Sequence, residues 1–97
     1  MKALTLNDYL EKKLKDPEFR LHYNRELLIN AVAKMIVDLR HSSNLTQRDL
    51  AKKAKTTQAV IARLESGSDE RVPSIDLLSR IASASNARLN IGFTRQI

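Results

Sequence analysis

Two polar side chains that can recognise nucleic-acid bases stand five residues apart in the segment that begins at Thr57. Gln58 has an amide that can pair with the edge of adenine at two points, and Arg63 has the fork of donors that fits guanine. Between them, Ala59 is small enough to contact the methyl group of thymine. If this segment is a helix held from behind by apolar residues, the three side chains share one outward surface. The pattern indicates readout of base edges, provided that neighbouring elements position the helix.

Two short helices are predicted around these residues, and they set the position of the base-reading segment. Thr46 begins a capping-box pattern, so a first helix is expected to run from there to about Lys53. Thr57 caps a second helix over Gln58–Glu65, and Gly67 can adopt the left-handed conformation that ends it. Two helices of this length joined by a three-residue connection have the proportions of a helix-turn-helix.

The inner sides of these two helices carry the residues that would hold them together. Ala51 and Ala54 are small enough to let the first helix pack closely across the second. Ile61 and Leu64 would anchor the second helix from behind, because they recur at helical spacing. The polar N-terminal part of the second helix is then left available for contacts with a ligand.

Three further helices are predicted in the rest of the chain. An N-terminal helix covers residues 6–15, and Asp16 followed by Pro17 marks the start of a long helix over about 17–41. The last helix covers about 74–85. The fold class expected is therefore all-α, a bundle of about five helices with an N-terminal helical extension and a short C-terminal strand.

The long helix has two apolar stripes about 100° apart around its axis. One stripe contains Leu28, Val32, Met35, Ile36 and Leu39, and the other contains Ile29, Ala33 and Val37. One stripe is enough to face a single core, so the second indicates that a further element covers the other side. The N-terminal helix is the nearest candidate for that role.

The C-terminal segment has a different periodicity, because Leu89, Ile91 and Phe93 alternate with residues that are not apolar. A period of two predicts a strand, and a lone strand needs a partner strand to satisfy its backbone. We favour pairing with the same strand of a second copy across a two-fold axis. The alternatives are addition to the sheet edge of another protein and a loose tail.

Composition narrows the classes of function. The 97 residues carry a net charge of +6, which makes nucleic acid a candidate partner. The absence of Cys excludes disulfides and thiolate zinc sites, and two Gly are too few for a glycine-rich nucleotide loop. Three of the four aromatic residues lie within the first 23 positions, which argues against a sheet that stacks bases.

Nothing in the sequence indicates catalysis, a cofactor or a membrane segment. His22 and His41 are far apart with no Cys nearby, so a metal site is not expected, and no strand–turn–helix nucleophile motif is present. No apolar run approaches the roughly 20 residues that span a bilayer, and the N-terminus does not resemble a secretory signal. We expect a cytoplasmic protein that is not an enzyme and needs no cofactor.

The segment LTQRDLAKKAKTTQAVIARLESG, residues 45–67, resembles the helix-turn-helix of the phage-repressor-like XRE/Cro family. The resemblance extends over roughly residues 27–84 and implies a phage-repressor-like bundle that binds double-stranded DNA. It departs from the family at Lys55, where Gly is frequent, and at Thr56, where an apolar residue is frequent.

The resemblance also implies DNA-contacting residues. Gln47 matches a phosphate contact at the start of the first motif helix, where backbone amides favour an anion. Ser66 matches a position that approaches the DNA backbone, and Lys55 adds positive charge in the turn. The base-facing positions of the family are matched by Thr57, Gln58, Ala59 and Arg63.

A narrower resemblance comes from the N-terminal segment LNDYLEKKLKDPEFRLHYNRE and from the overall layout of the chain. Both are similar to HigA-like antitoxins of type II toxin–antitoxin pairs. This implies a homodimeric repressor that binds a palindromic operator of its own operon, with half-sites about 34–36 Å apart. It also implies direct binding of a RelE/HigB-like ribonuclease toxin, which the antitoxin neutralises.

This interpretation divides the chain into an N-terminal extension (1–24), a DNA-binding domain (25–86) and a C-terminal dimerisation segment (87–97). The extension is expected to carry the toxin-binding surface, unless its apolar residues only cover the second stripe of the long helix. The expected anchors of that surface are Tyr9, Leu10, Leu14, Phe19 and Tyr23. The alternatives for the whole protein are a stand-alone phage-type regulator and a module that masks a partner without binding DNA.

Overall fold

Five α-helices make up the regular structure in the computed structural model, which describes residues 5–68 and 71–95. The helices are α1 (Leu6–Lys13), α2 (Pro17–Ser42), α3 (Gln47–Lys53), α4 (Gln58–Ser66) and α5 (Ile75–Ala84). Each corresponds to a helix predicted from the sequence, so the expectation of an all-helical bundle is confirmed for the described residues.

The helix starts are set by the side chains that the sequence places there. Thr5 and Thr46 each form a capping box, in which the threonine hydroxyl accepts from a backbone N–H three residues on and an aspartate accepts from the threonine N–H. The bond from the backbone N–H of Thr46 lowers the pKa of Asp49. Asp16 caps α2 directly before Pro17 at the first helical position, where a missing N–H costs nothing.

The core lies where α2 to α5 meet. α3 packs against α4 and α5, and α2 packs against α4. The side chains that are fully enclosed come from three different helices: Leu50, Ile61 and Ile81. Ala51 and Ala54 are also buried, which confirms that small residues let α3 approach its neighbours.

The second apolar stripe of α2 is covered by α4, not by α1. Ile29 and Ala33 are buried, and Gly67, at the end of α4, lies against Ala33 and Asn30. No residue of α1 is buried. The expectation that the N-terminal helix covers this stripe was therefore wrong, because the C-terminal end of α4 already fills that side. The N-terminal part of the molecule extends away from the core, and the described chain measures 57 × 24 × 22 Å.

The predicted C-terminal strand is not formed. Residues 87–95 are neither helical nor part of a sheet, and within the described residues no other strand is present to pair with them. Leu89 is half-buried against the helices, whereas Ile91 and Phe93 are exposed. The period-two pattern predicted a strand, and that prediction was wrong for a single copy, which offers the segment no ladder of backbone partners.

Candidate nucleic-acid interface

One side of α4 is polar and exposed, and the opposite side is buried. Gln58 and Ala59 are exposed at the N-terminal end, and Ala62 follows one turn later on the same side. Ile61 and Leu64 are buried behind them, as the sequence predicted. This geometry gives the helix a surface of small and amide side chains on a rigid apolar support, which is what entry into a major groove requires.

The first turn of α4 is held by Thr57. Its hydroxyl accepts a hydrogen bond from the backbone N–H of Val60 at 3.3 Å, and Thr57 itself is exposed. The side chain that the family resemblance assigns to a base is thus also the N-cap of the helix. Both roles place it at the end of α4 that would meet the ligand first.

Arg63 lies at the edge of this face, not at its centre. The side chain is half-buried and lines a small cleft beside Ile29, Leu64, Arg71 and Pro73. An arginine that packs its stem against apolar residues can still present its planar end at the rim. Of the predicted base-contacting residues, Arg63 has the most restricted surroundings.

Gln47 and Gln58 are brought together by the fold. Both line one shallow polar depression between the start of α3 and the start of α4, which also includes Arg40, Asn44, Leu45, Thr46 and Arg48. The amide nitrogen of Gln47 donates to Glu65 Oε1 at 3.2 Å. Because Glu65 and Gln58 both belong to α4, this hydrogen bond also holds Gln47 at the start of α3 near the start of α4.

A nearly buried ion pair ties the two motif helices to α2. Arg40 Nε donates to Glu65 Oε2 at 2.7 Å, and Arg40 Nη2 donates to Glu65 Oε1 at 3.0 Å. A third donor, Nη1, reaches the carbonyl oxygen of Leu45 at 3.0 Å. The side chains of Arg40 and Glu65 are only 13% and 7% exposed. This bidentate geometry is the strong form of a carboxylate–guanidinium contact.

The ionisation of Glu65 is set by opposing effects. Burial by itself would raise its pKa, but the hydrogen bonds from Arg40 and Gln47 outweigh burial and hold the pKa below its ordinary value. The pKa of Arg40 is raised, chiefly by its hydrogen bond to Glu65. Both groups are therefore charged at neutral pH, and the carboxylate acts as the common acceptor for α2 and α3.

The turn between α3 and α4 contains a left-handed residue. Lys55 has a φ of 57°, a conformation that glycine adopts most easily, and this explains why the family often has Gly there. Arg80 from α5 supports the turn, because its Nη1 donates to the carbonyl oxygens of Ala54 at 2.7 Å and Lys55 at 2.8 Å. Lys55 thus keeps the turn geometry, and its side chain is exposed beside the interface.

Ser66 is exposed at the end of α4, and its hydroxyl already has partners. It donates to the carbonyl oxygen of Arg63 at 2.7 Å and lies 2.9 Å from the hydroxyl of Ser68. These contacts order the exit from α4, next to Gly67 with its φ of 68°.

The predicted partner-binding anchors form a separate cluster on α1 and the start of α2. The rings of Phe19 and Tyr23 are stacked with their centroids 6.3 Å apart. The ammonium of Lys13 lies 5.8 Å from the ring centre of Tyr9 and 6.0 Å from that of Phe19. Tyr9 is exposed, and the other four anchors, Leu10, Leu14, Phe19 and Tyr23, are half-buried.

Three residues that organise the candidate interface were not identified from the sequence: Arg40, Glu65 and Arg80. Glu65 is paired with Arg40, which is 25 positions away in the chain, so the spacing of neighbouring residues gives no sign of the contact. Arg80 could be recognised only through Asp76, four residues before it on α5, whose carboxylate it contacts at 3.0 Å. Its contacts with the turn depend on how α5 lies against α3.

Neither a metal site nor a membrane span is found in the part of the chain that the structure describes. No group of three or more His, Asp or Glu side chains lies together there. Among the same residues, no helix combines the length and apolarity that crossing a bilayer requires.

Comparison with known proteins gives one match. The sequence model of the family described as Helix-turn-helix (HTH_3) matches residues 36–89, which is more than half of the chain. The matched part begins in the second half of α2, includes α3, α4 and α5, and ends at Leu89. No curated protein and no solved structure matches the chain significantly.

Proposed function

Because the chain belongs to the helix-turn-helix family, we propose that it is a transcriptional repressor that binds a two-fold-symmetric operator as a homodimer. The observation that carries this proposal is the exposed face of α4, on which Gln58 and Ala59 stand above buried Ile61. A helix with this division can place amide and methyl groups against base edges while its back stays in the core.

The surroundings of α4 support binding to the phosphate backbone. Lys55 in the turn and Arg48 and Lys52 on α3 are exposed, and the chain as a whole has a net charge of +6. Phosphate contacts position a protein on the duplex without reading sequence, whereas base contacts give specificity. We assign the first role to these cations and the second to Gln58, Ala59 and Arg63.

Selection from a random DNA pool tests the base-reading role. Wild-type protein is expected to enrich a two-fold-symmetric site, and the double variant Gln58→Ala/Arg63→Ala is expected to lose that enrichment. Each bidentate base contact contributes roughly 1–3 kcal/mol of discrimination, so the double variant should lose at least tenfold in specificity.

The matched control is Asn7→Ala/Arg20→Ala, which removes the same types of group from exposed positions on α1 and α2. This variant should enrich the same site as the wild type. Failure of the wild type to enrich any site, at low salt as well as physiological salt, would reject the repressor role. The alternative of a module that masks a partner without binding DNA would then be favoured.

We further propose that the repressor is the antitoxin of a type II toxin–antitoxin pair and that the cluster on α1 and early α2 binds the toxin. Tyr9, Phe19 and Tyr23 lie outside the core formed by α2 to α5, and α1 buries none of its residues. Aromatic side chains with a cation over their rings suit a contact with a partner, since Tyr is enriched among residues that dominate binding energy. The partner proposed is a RelE/HigB-like ribonuclease.

Co-expression with the product of the neighbouring gene tests this role. Wild-type protein should co-purify with that product and suppress its ribonuclease activity. The variant Tyr9→Ser/Phe19→Ser/Tyr23→Ser should bind it at least 30-fold more weakly, because losing contacts that contribute at least about 2 kcal/mol in total corresponds to that factor.

The matched control is Val72→Ser/Ile75→Ser, which removes exposed apolar side chains near the start of α5. It should co-purify with the same product as the wild type. If wild-type protein binds no such ribonuclease but still enriches a DNA site, the stand-alone regulator is correct and the antitoxin role is not.

A further inference from the structure

An open apolar groove lies between α2, α5 and the beginning of the C-terminal segment. Its volume is about 350 Å³. The walls are formed mainly by Val32, Met35 and Leu39 of α2, by Leu78 and Ile81 of α5, and by Leu89. Met35 is 59% exposed, so the groove is not closed by anything in the described part of the chain. An open apolar groove of this kind is a candidate contact site when further exposed apolar side chains lie beside it.

The segment that leaves the groove carries the largest exposed apolar side chains of this region. Leu89 is half-buried in the groove, and Asn90 is the last residue that lines it. Beyond it, Ile91 is 61% exposed, and Phe93 is fully exposed at 104%. The described chain thus has an open apolar groove, followed closely in sequence by two exposed apolar side chains.

A second copy of the same chain is the occupant that this juxtaposition favours. A two-fold contact is self-complementary, so it places the groove of each copy against the same feature of the other. Here the lining of the groove ends at Asn90, and the side chains that could fill it follow one and three residues later in the chain. One rotation can therefore bury both grooves and both C-terminal segments together.

The area involved lies close to the lower limit for a specific dimer. A phenylalanine side chain buries about 150–250 Å² on its own, and the walls of the groove contribute a smaller area. Two such contacts, with Ile91 added in each copy, give roughly 1,000 Å² in total. That is about the minimum expected of a specific protein–protein interface.

We propose that Ile91 and Phe93 of one copy fill the groove between α2 and α5 of a second copy, and that the second copy does the same in return. The contact is made by side chains in a groove and needs no pairing of strands. It deepens the proposed function, because a two-fold-symmetric operator requires a dimer, and it assigns the surface that joins the two copies.

The chain contains no cysteine, so engineered disulfides can test this arrangement without a background reaction. Phe93→Cys is paired with Met35→Cys on the α2 wall, or with Leu78→Cys on the α5 wall. Each pair is made both as two single-cysteine chains and as one double-cysteine chain. Mixing two single-cysteine proteins under oxidising conditions should give a covalent dimer of one Phe93→Cys chain and one wall-cysteine chain. Either single variant alone should give far less dimer, since equivalent positions lie apart in the reciprocal arrangement.

The same contact predicts a loss of association. Phe93→Ser should weaken dimerisation at least 100-fold in analytical ultracentrifugation, because two central contacts are removed from each dimer. Leu6→Ser is the matched control, since Leu6 is 73% exposed on α1, outside the groove. It should leave the dimerisation constant unchanged, and far-ultraviolet circular dichroism should show native helix content in both variants.

Three results would overturn the proposal. An intramolecular disulfide in the double-cysteine chain would mean that the segment covers its own groove. No cross-link at either wall would mean that the groove binds something else, or nothing. A wild-type dimer that survives Phe93→Ser would place the interface elsewhere. None of these results depends on DNA, so failure here is separate from failure to enrich an operator.

Discussion

Raising the salt concentration from 50 to 200 mM is expected to weaken binding of the selected operator by roughly 10³–10⁵-fold. This follows if the dimer contacts 6–10 phosphates, because each neutralised phosphate releases bound counterions and the released ions enter the binding equilibrium. The exposed cations beside α4, Arg48, Lys52 and Lys55, are positioned to supply part of these contacts. Fluorescence anisotropy of a labelled operator duplex, titrated at several salt concentrations, measures the slope.

The slope also tests which lysines contact phosphates. Each phosphate contact that is lost should make the slope of log affinity against log salt concentration shallower by about 0.9. A substitution in a dimer removes one contact from each of the two copies. A dimer of Lys55→Gln should therefore show a change of about 2, whereas Lys12→Gln on α1 should show none. A nearly flat slope for the wild type would contradict direct phosphate binding and would favour a partner-masking module.

The parts of the fold that could be predicted were those decided by neighbouring residues. The capping box at Thr46 and the left-handed Gly67 act within a few positions, and each begins or ends a helix where expected. The inward side of α4 was also predictable, since the spacing of Ile61 and Leu64 is a property of the helix itself.

The parts that could not be predicted depend on long-range packing or on a second molecule. The end of α4 covers Ile29 and Ala33 because of its position in the folded chain. From the sequence alone, the N-terminal helix was the nearest candidate for that role. The Arg40–Glu65 pair joins residues 25 positions apart. Phe93 lies in a segment whose alternation suggested a strand, yet strand formation requires a ladder that one copy does not have.

For the candidate site, the same division applies. The amide and alanine side chains on α4 were found from residue type and spacing. Their position relative to Gln47 could not be predicted, because it depends on the hydrogen bond from the Gln47 amide to the carboxylate of Glu65. Arg63 was expected to be a base-facing residue, and it lies at the edge of that face, half-buried beside Leu64 and Pro73.

Replacing Arg40 by methionine is expected to lower the free energy of unfolding by about 3 kcal/mol. The variant keeps the apolar stem but leaves the carboxylate of Glu65 nearly buried with only Gln47 as a side-chain donor, and breaking one half of a buried pair costs roughly 3–5 kcal/mol. Urea denaturation followed by circular dichroism measures the change. Asp76→Asn is the matched control, because it breaks an exposed pair with Arg80 and should cost less than about 1 kcal/mol.

The single variant Glu65→Gln and the double variant Arg40→Met/Glu65→Gln complete a mutant cycle with Arg40→Met. Because the uncompensated charge is then absent, the double variant should be more stable than Arg40→Met alone, and the two substitutions should not be additive. Additive losses would show that the two side chains do not interact in solution. A double variant that recovers most of the stability would show that the cost lies in stranding the carboxylate.

The pH dependence of stability distinguishes the ion pair from packing alone. The pKa of Glu65 is lower in the folded protein than its ordinary value of 4.5, so its contribution is fully present above about pH 4.5 and is lost as the pH falls through the folded pKa. Asp8 and Asp49 have lowered pKa values as well, through their capping hydrogen bonds, and they contribute in the same direction.

The difference in unfolding free energy between wild type and Arg40→Met removes the contributions of Asp8 and Asp49, which both proteins share. What remains is the contribution of the Arg40–Glu65 pair. That difference should be largest near neutral pH and should shrink on acidification, whereas a loss caused by packing would stay constant.

The same measurements connect the ion pair to DNA binding. Glu65 accepts from Gln47 and Arg40 together, so it fixes the start of α3 relative to α4, where Gln58 stands. At a pH where Arg40→Met remains folded, operator affinity should therefore fall by more than the small unfolded fraction explains. Unchanged affinity in the folded variant would mean that the pair stabilises the fold without positioning the DNA-reading face.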